Sequence, residues 1–152
     1  MAVSITSNTC STVSSISLVP QDSVKFRSTT DYTGESIKRL YHADNLNVLN
    51  HLIKDDKVCG KVNLIYIDPP YNTGGAFETR NFVHAYNDNF TTEGYVSFMK
   101  ARLQLMHTLL ASTGSIYVHL DSNMVFHIKI LMDSIFGEKN FRGMITRKKC
   151  KS

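Results

Sequence analysis

A chain of 152 residues, 42% apolar and 20% charged, can bury one compact core, which excludes a highly charged disordered tail. No apolar run approaches the roughly 18 residues of a membrane-crossing helix, so no membrane partner is expected. The formal charge of +4 and pI near 9.0 admit a polyanionic partner without demanding one.

Residues 1–35 read as a flexible Ser/Thr-rich extension, with one short strand around Ile16 to Val19. The domain proper then occupies 36–152. Ile37 to Tyr41 reads as a strand, and Asp44 or Asn45 caps a helix with Leu46, Leu49, Leu52 and Ile53 at helical spacing. Val62 to Ile67 is a nearly continuous run of β-branched and aromatic residues, the pattern of a strand buried on both faces. A long loop rich in Gly, Asn and aromatic residues extends to about Thr92.

Thr91 or Thr92 caps the next helix, with Glu93 in its first turn and Tyr95, Phe98, Met99, Leu103, Met106 and Leu109 at helical spacing. Gly114 is expected to end that segment before a strand from Ser115 to Leu120. Asp121 or Ser122 caps a third helix, and Gly137 stops it. A last strand begins at Met144-Ile145. Strands alternating with helices predict an α/β fold, a parallel sheet flanked by helices.

In such a sheet, ligands bind beyond the carboxyl ends of the strands. Asp68-Pro69-Pro70-Tyr71 stands there, directly after Ile67. The two prolines fix φ and remove two backbone donors, so the segment offers a carboxylate and carbonyl acceptors but few N–H groups. That set suits a primary amine, whose two N–H bonds need two acceptors. Tyr71 adds a flat face for an unstacked ring, worth about 1–3 kcal/mol per base. As four residues alone, Asp-Pro-Pro-Tyr is equally an ordinary strand stop and turn. Its place after a buried strand and before a long aromatic loop favours a site.

Asp68 to Gly74, following Lys61 to Ile67, resembles the catalytic segment of the N6-adenine/N4-cytosine DNA methyltransferase family. Tyr95 to Leu103, Gly114 to Asp121 and Ile135 to Phe141 resemble later segments of its permuted group, which includes the modification subunits of type III restriction systems. Tyr41 to Leu46 resembles that group's Gly-Asp-Asn-Leu turn, with Ala43 in the glycine position.

The resemblance implies a Rossmann-like fold that binds S-adenosyl-L-methionine and double-stranded DNA, in the cytoplasm. It implies that Asp68 and the Pro69 carbonyl accept from the target amine, that Pro70 stiffens the segment, and that Tyr71 stacks on a flipped base. Asp at the first motif position resembles the adenine branch more than the cytosine branch. A restriction subunit or a complementary methyltransferase chain is the expected protein partner.

No glycine-rich cofactor loop follows, so the chain reads as the N-terminal catalytic part of an incomplete fold, ending before the recognition region. A catalytically silent DNA- or protein-binding remnant, an N4-cytosine enzyme and an RNA or protein-glutamine methyltransferase are the competing readings. Such a fragment is expected to expose a sheet edge and an apolar face.

Asp44 reads equally as a cofactor contact and as a helix cap. Arg147, Lys148 and Lys149 read as DNA phosphate contacts or as a solvated basic end. Phe77, Phe82, Tyr86 and Phe90 read either as a closing loop or as a satellite cluster. The six histidines are scattered, without metal-ligand spacing, and Cys10, Cys59 and Cys150 suggest reduced thiols rather than a disulfide framework.

Overall fold

The computed structural model describes residues 2–6, 25–30, 36–72, 76–78, 84–87 and 90–147, with side chains for 39–72 and 90–147. In chain order the elements are β1 (Ala2–Thr6), β2 (Lys25–Thr30), β3 (Ser36–His42), α1 (Asn45–Leu52), β4 (Val62–Ile67), β5 (Ala76–Glu78) and β6 (His84–Asn87). Then follow α2 (Thr92–Leu109), β7 (Leu110–His119), α3 (Val125–Phe136), a 3-10 turn (Glu138–Asn140) and β8 (Phe141–Ile145).

The fold class is α/β, as expected. The sheet, however, is mixed. Its order is β4-β7-β1-β8, in which β4 and β7 are parallel and β1 runs antiparallel to both β7 and β8. Sequence reading placed no strand at 2–6, yet Val3 and Ile5 alternate there with Ser4 and Thr6, the period of two that a strand requires. The strand expected at Ile16–Val19 lies outside the described residues. β3 falls where it was expected, but it pairs with β2 in a separate antiparallel ribbon. The long loop holds a short hairpin, β5 with β6.

β4 also departs from the expected two-sided burial. Among the described residues it is an edge strand, and Leu64 and Tyr66 are 60% and 61% exposed. The reason lies in the packing. Ile116 and Val118 of β7 are fully buried, Ile65 and Ile67 of β4 pack beside them, and the helices cover that face. α2 buries Tyr95, Met99, Leu103 and Met106, while α3 buries Val125, Ile128, Met132 and Phe136. Leu49 of α1 adds to the same cluster. Each such side chain contributes about 1.5–3 kcal/mol by leaving water.

Two boundaries also move. α2 ends at Leu109 and passes straight into extended chain, so Gly114 stops nothing. A Cβ there would lie 2.6 Å from the Val62 carbonyl oxygen and 2.9 Å from Leu110 Cδ2, so glycine admits the close approach of β4 to β7. α3 begins only at Val125. Asp121 precedes it and folds its own turn, accepting from the backbone N–H of Asn123 and Met124 at 3.0 and 3.2 Å.

Candidate active site at the carboxyl ends of the parallel strands

The parallel register sets Ile67 opposite Val118, so Asp68 and His119 emerge side by side at the same end of the sheet. Tyr71 completes the group. Its hydroxyl donates to Asp68 Oδ1 at 2.6 Å and lies 3.1 Å from His119 Nδ1, which is itself 3.2 Å from the same carboxylate oxygen. The Tyr71 and His119 rings meet edge to face, with centroids 5.7 Å apart. Burial pushes the Tyr71 phenol up to about 12, and its hydrogen bond to the Asp68 carboxylate adds to the shift.

The proline segment is braced from behind. Tyr95, fully buried on α2, donates its hydroxyl to the Pro70 carbonyl at 2.5 Å. Asn72 adopts a left-handed φ of 56°, which Asn tolerates better than most residues, and its Oδ1 accepts from the Phe90 backbone N–H at 2.9 Å. With the Pro70 carbonyl and Asp68 Oδ1 engaged, Asp68 Oδ2 and the Pro69 carbonyl are two acceptors of this segment for a ligand. This is the pair needed to grip an amine by two hydrogens.

Asp68, Pro69, Pro70 and Tyr71 form one wall of a cleft of about 640 Å3, lined also by Ala43, Asp44, Asn45, Phe90, Phe98 and Arg102. That is a size suited to a small-molecule ligand. A recess of about 270 Å3 reaches behind the prolines toward Tyr66, Met99 and Met106. Asp44 caps α1, its Oδ1 accepting from Leu46 N–H at 2.9 Å, so the cap reading stands. It also borders the cleft.

Arg102 was not singled out in the sequence. It is only 8% exposed, donates through Nε to Asn45 Oδ1 at 2.7 Å and through one terminal nitrogen to the Phe98 carbonyl at 3.1 Å, and stacks on the Phe98 ring at 3.6 Å. Burial pulls its guanidinium below the usual value, and Asp44 offsets part of that shift. Phe90, Tyr95 and Phe98 form an aromatic cluster beside it, with centroids 5.2 to 6.2 Å apart, so Phe90 packs as part of a satellite cluster.

Of the remaining candidates, Phe77 and Tyr86 are described in backbone alone and Phe82 lies outside the described residues. Arg147 is exposed at the end of the chain's described part, and Lys148 and Lys149 lie outside it. Among the described residues no helix is long and apolar enough to cross a membrane.

In this α/β sheet the first parallel strand runs straight into Asp68-Pro69-Pro70-Tyr71 at its carboxyl end, the edge where such sheets bind ligands. Residues 62–152, more than half of the chain, match the DNA methylase family model of N6/N4 type, and the chain belongs to that family. It is 42% identical over 142 residues to the type II methyltransferase M.EcaI of Enterobacter cloacae, covering 91% of this chain and 31% of that protein. It is 47% identical over 105 residues to the probable type III restriction-modification enzyme HindVI Mod subunit of Haemophilus influenzae, covering 69% of this chain and 13% of that protein. With the type II methyltransferase M.KpnI of Klebsiella pneumoniae it shares 39% identity over 127 residues, 82% of this chain and 29% of that protein. The chain thus spans less than a third of the length of each of these relatives.

Proposed function

We propose that the chain carries the base-binding half of a DNA methyltransferase that modifies the N6 amine of a flipped adenine in duplex DNA, within a cytoplasmic restriction-modification system. The observation that carries the reading is the acceptor pair of Asp68 Oδ2 and the Pro69 carbonyl, held rigid by Tyr71, His119 and Tyr95. Two acceptors in fixed geometry take both amine hydrogens and turn the nitrogen lone pair away from the ring, toward the cleft. Tyr71 offers its ring face to the base, and stacking of about 1–3 kcal/mol helps offset the few kcal/mol of flipping.

The cleft fits S-adenosyl-L-methionine by its chemistry. Asp44 and Asp68 meet a sulfonium and an ammonium, Arg102 meets a carboxylate, and Phe90 and Phe98 meet an adenine ring. When bound, that cofactor supplies an electrophilic methyl group. Asp44 serves both as helix cap and as cofactor contact, and Arg147, Lys148 and Lys149 serve as phosphate contacts. The Mod-subunit names among the relatives support a restriction subunit as partner.

The test is transfer of radiolabelled methyl to unmethylated duplex DNA, followed by digestion to nucleosides. Label is expected in N6-methyladenine, and Asp68→Ala is expected to lower the rate about 100-fold or more, the loss typical of one preorganised polar contact to the reacting group. Label in N4-methylcytosine would overturn the adenine assignment. Undiminished activity in Asp68→Ala would overturn the amine clamp.

A further inference from the structure

We infer that Arg102 is the carboxylate receptor of the cleft, gripping the α-carboxylate of an amino-acid-bearing nucleoside cofactor; this rests on the methyltransferase reading above. An arginine 8% exposed as a residue and 10% in its side chain has lost much of its hydration, a loss that needs strong partners to offset. Those it has are incomplete. Nε and one terminal N–H are satisfied by Asn45 and the Phe98 carbonyl, at 2.7 and 3.1 Å. The second terminal nitrogen reaches Asp44 Oδ2 only at 3.5 Å, and the Asp44 side chain is 57% exposed, with its other oxygen committed to the cap.

Five N–H donors less these three leaves one on each terminal nitrogen without an acceptor among the described residues. One N–H on each terminal nitrogen is the number that the arginine fork uses to take a carboxylate in two parallel hydrogen bonds. The side chain lines both the cleft and its recess, so the fork has a ligand space to serve. Phe98, stacked on the guanidinium at 3.6 Å, fixes its plane before any ligand arrives.

Charge selects the ligand class. A phosphate would bring one to two negative charges beside Asp44 and Asp68, whereas an amino-acid end brings an ammonium with its carboxylate. The cleft's two carboxylates and one guanidinium match a ligand with two cationic groups and one anionic group. A plain tie between α1 and α2 needs only the Nε contact to Asn45, and it would leave ligand preference untouched.

Calorimetric binding of S-adenosylhomocysteine and of its decarboxylated analogue, which keeps the amine and lacks the carboxylate, separates the cases. Wild-type chain is expected to prefer the carboxylate-bearing ligand by about 10- to 100-fold, the range of charge-assisted hydrogen bonds. Arg102→Met should lose that preference while binding the decarboxylated analogue within about threefold of wild type, a change well below one such hydrogen bond. Arg102→Lys, which keeps the charge without the fork, should fall between them.

Equal binding of both ligands by wild type, or an unchanged preference in Arg102→Met, would overturn the role of Arg102 and leave the cofactor reading intact. Binding of neither ligand by wild type would overturn both. Should Arg102→Met fail to fold by circular dichroism, the wild-type ligand pair and Arg102→Lys decide the matter.

Discussion

Tyr71 joins the two ends of the site through one hydroxyl, 2.6 Å from Asp68 Oδ1 and 3.1 Å from His119 Nδ1. Its phenol ionises near 12 in the folded chain against 10.0 for an unperturbed tyrosine, because burial and the Asp68 carboxylate both oppose the phenolate. The raised value fixes the sign of the pH dependence. The stabilisation is fully present below pH 10 and is lost as pH rises from 10 to 12. Wild type should therefore have a higher urea midpoint than Tyr71→Phe at neutral pH, and the gap should close across that window. A gap that stays constant to pH 12 would mean that folding does not raise the phenol above its ordinary value. Asp68 to Tyr71 could be found in the sequence because the four residues are contiguous. His119 and Tyr95 stand 48 and 25 residues from their partners, so only topology joins them. A signal for His119 did exist: it ends the second of two parallel strands, where the first ends at Ile67, just before Asp68.

The junction of β4 with β7 is the element on which that alignment depends. β7 leaves α2 without a loop, and its pairing with β4 skips from Val62–Leu110 to Leu64–Ser115. Gly114 sits inside this irregularity, against the Val62 carbonyl. Because the clashing atom is backbone, it cannot rotate away. Gly114→Ala is expected to destabilise the fold by about 1–3 kcal/mol, the usual effect of overpacking, read as a lower urea midpoint. An unchanged midpoint would show that the strands separate there at little cost. The residue also marks how far the sequence could be read. Helical spacing located α1, α2 and α3, and the β-branched run located β4, since each rests on local periodicity. Gly114 read as a helix stop because glycine commonly serves as one, while its actual role is set by a strand some fifty residues earlier. The place of β1 between β7 and β8 is likewise long-range, and its five residues of period two were hidden in a Ser/Thr-rich stretch.

For the molecule as a whole, short-range attraction at one edge opposes a weak net repulsion. β4 has a neighbour on one side only, so among the described residues its outer edge offers unpaired backbone groups flanked by exposed Leu64 and Tyr66. The net charge of +4 keeps copies apart at low salt, but over a length that shrinks from about 30 Å at 0.01 M to about 10 Å at 0.1 M. Edge-to-edge pairing acts at about 5 Å and is hardly screened. The mass seen by light scattering should therefore rise with protein concentration, and more steeply with added salt. Leu64→Lys sets a charge on the exposed side of that strand, away from the cleft, and should move the rise to higher concentration without changing the far-ultraviolet circular dichroism. Ile130 is 71% exposed on α3 and serves as the control, since Ile130→Lys adds the same charge elsewhere. Equal effects of the two substitutions would assign the change to net charge alone, whereas suppression by Leu64→Lys alone locates the contact on β4.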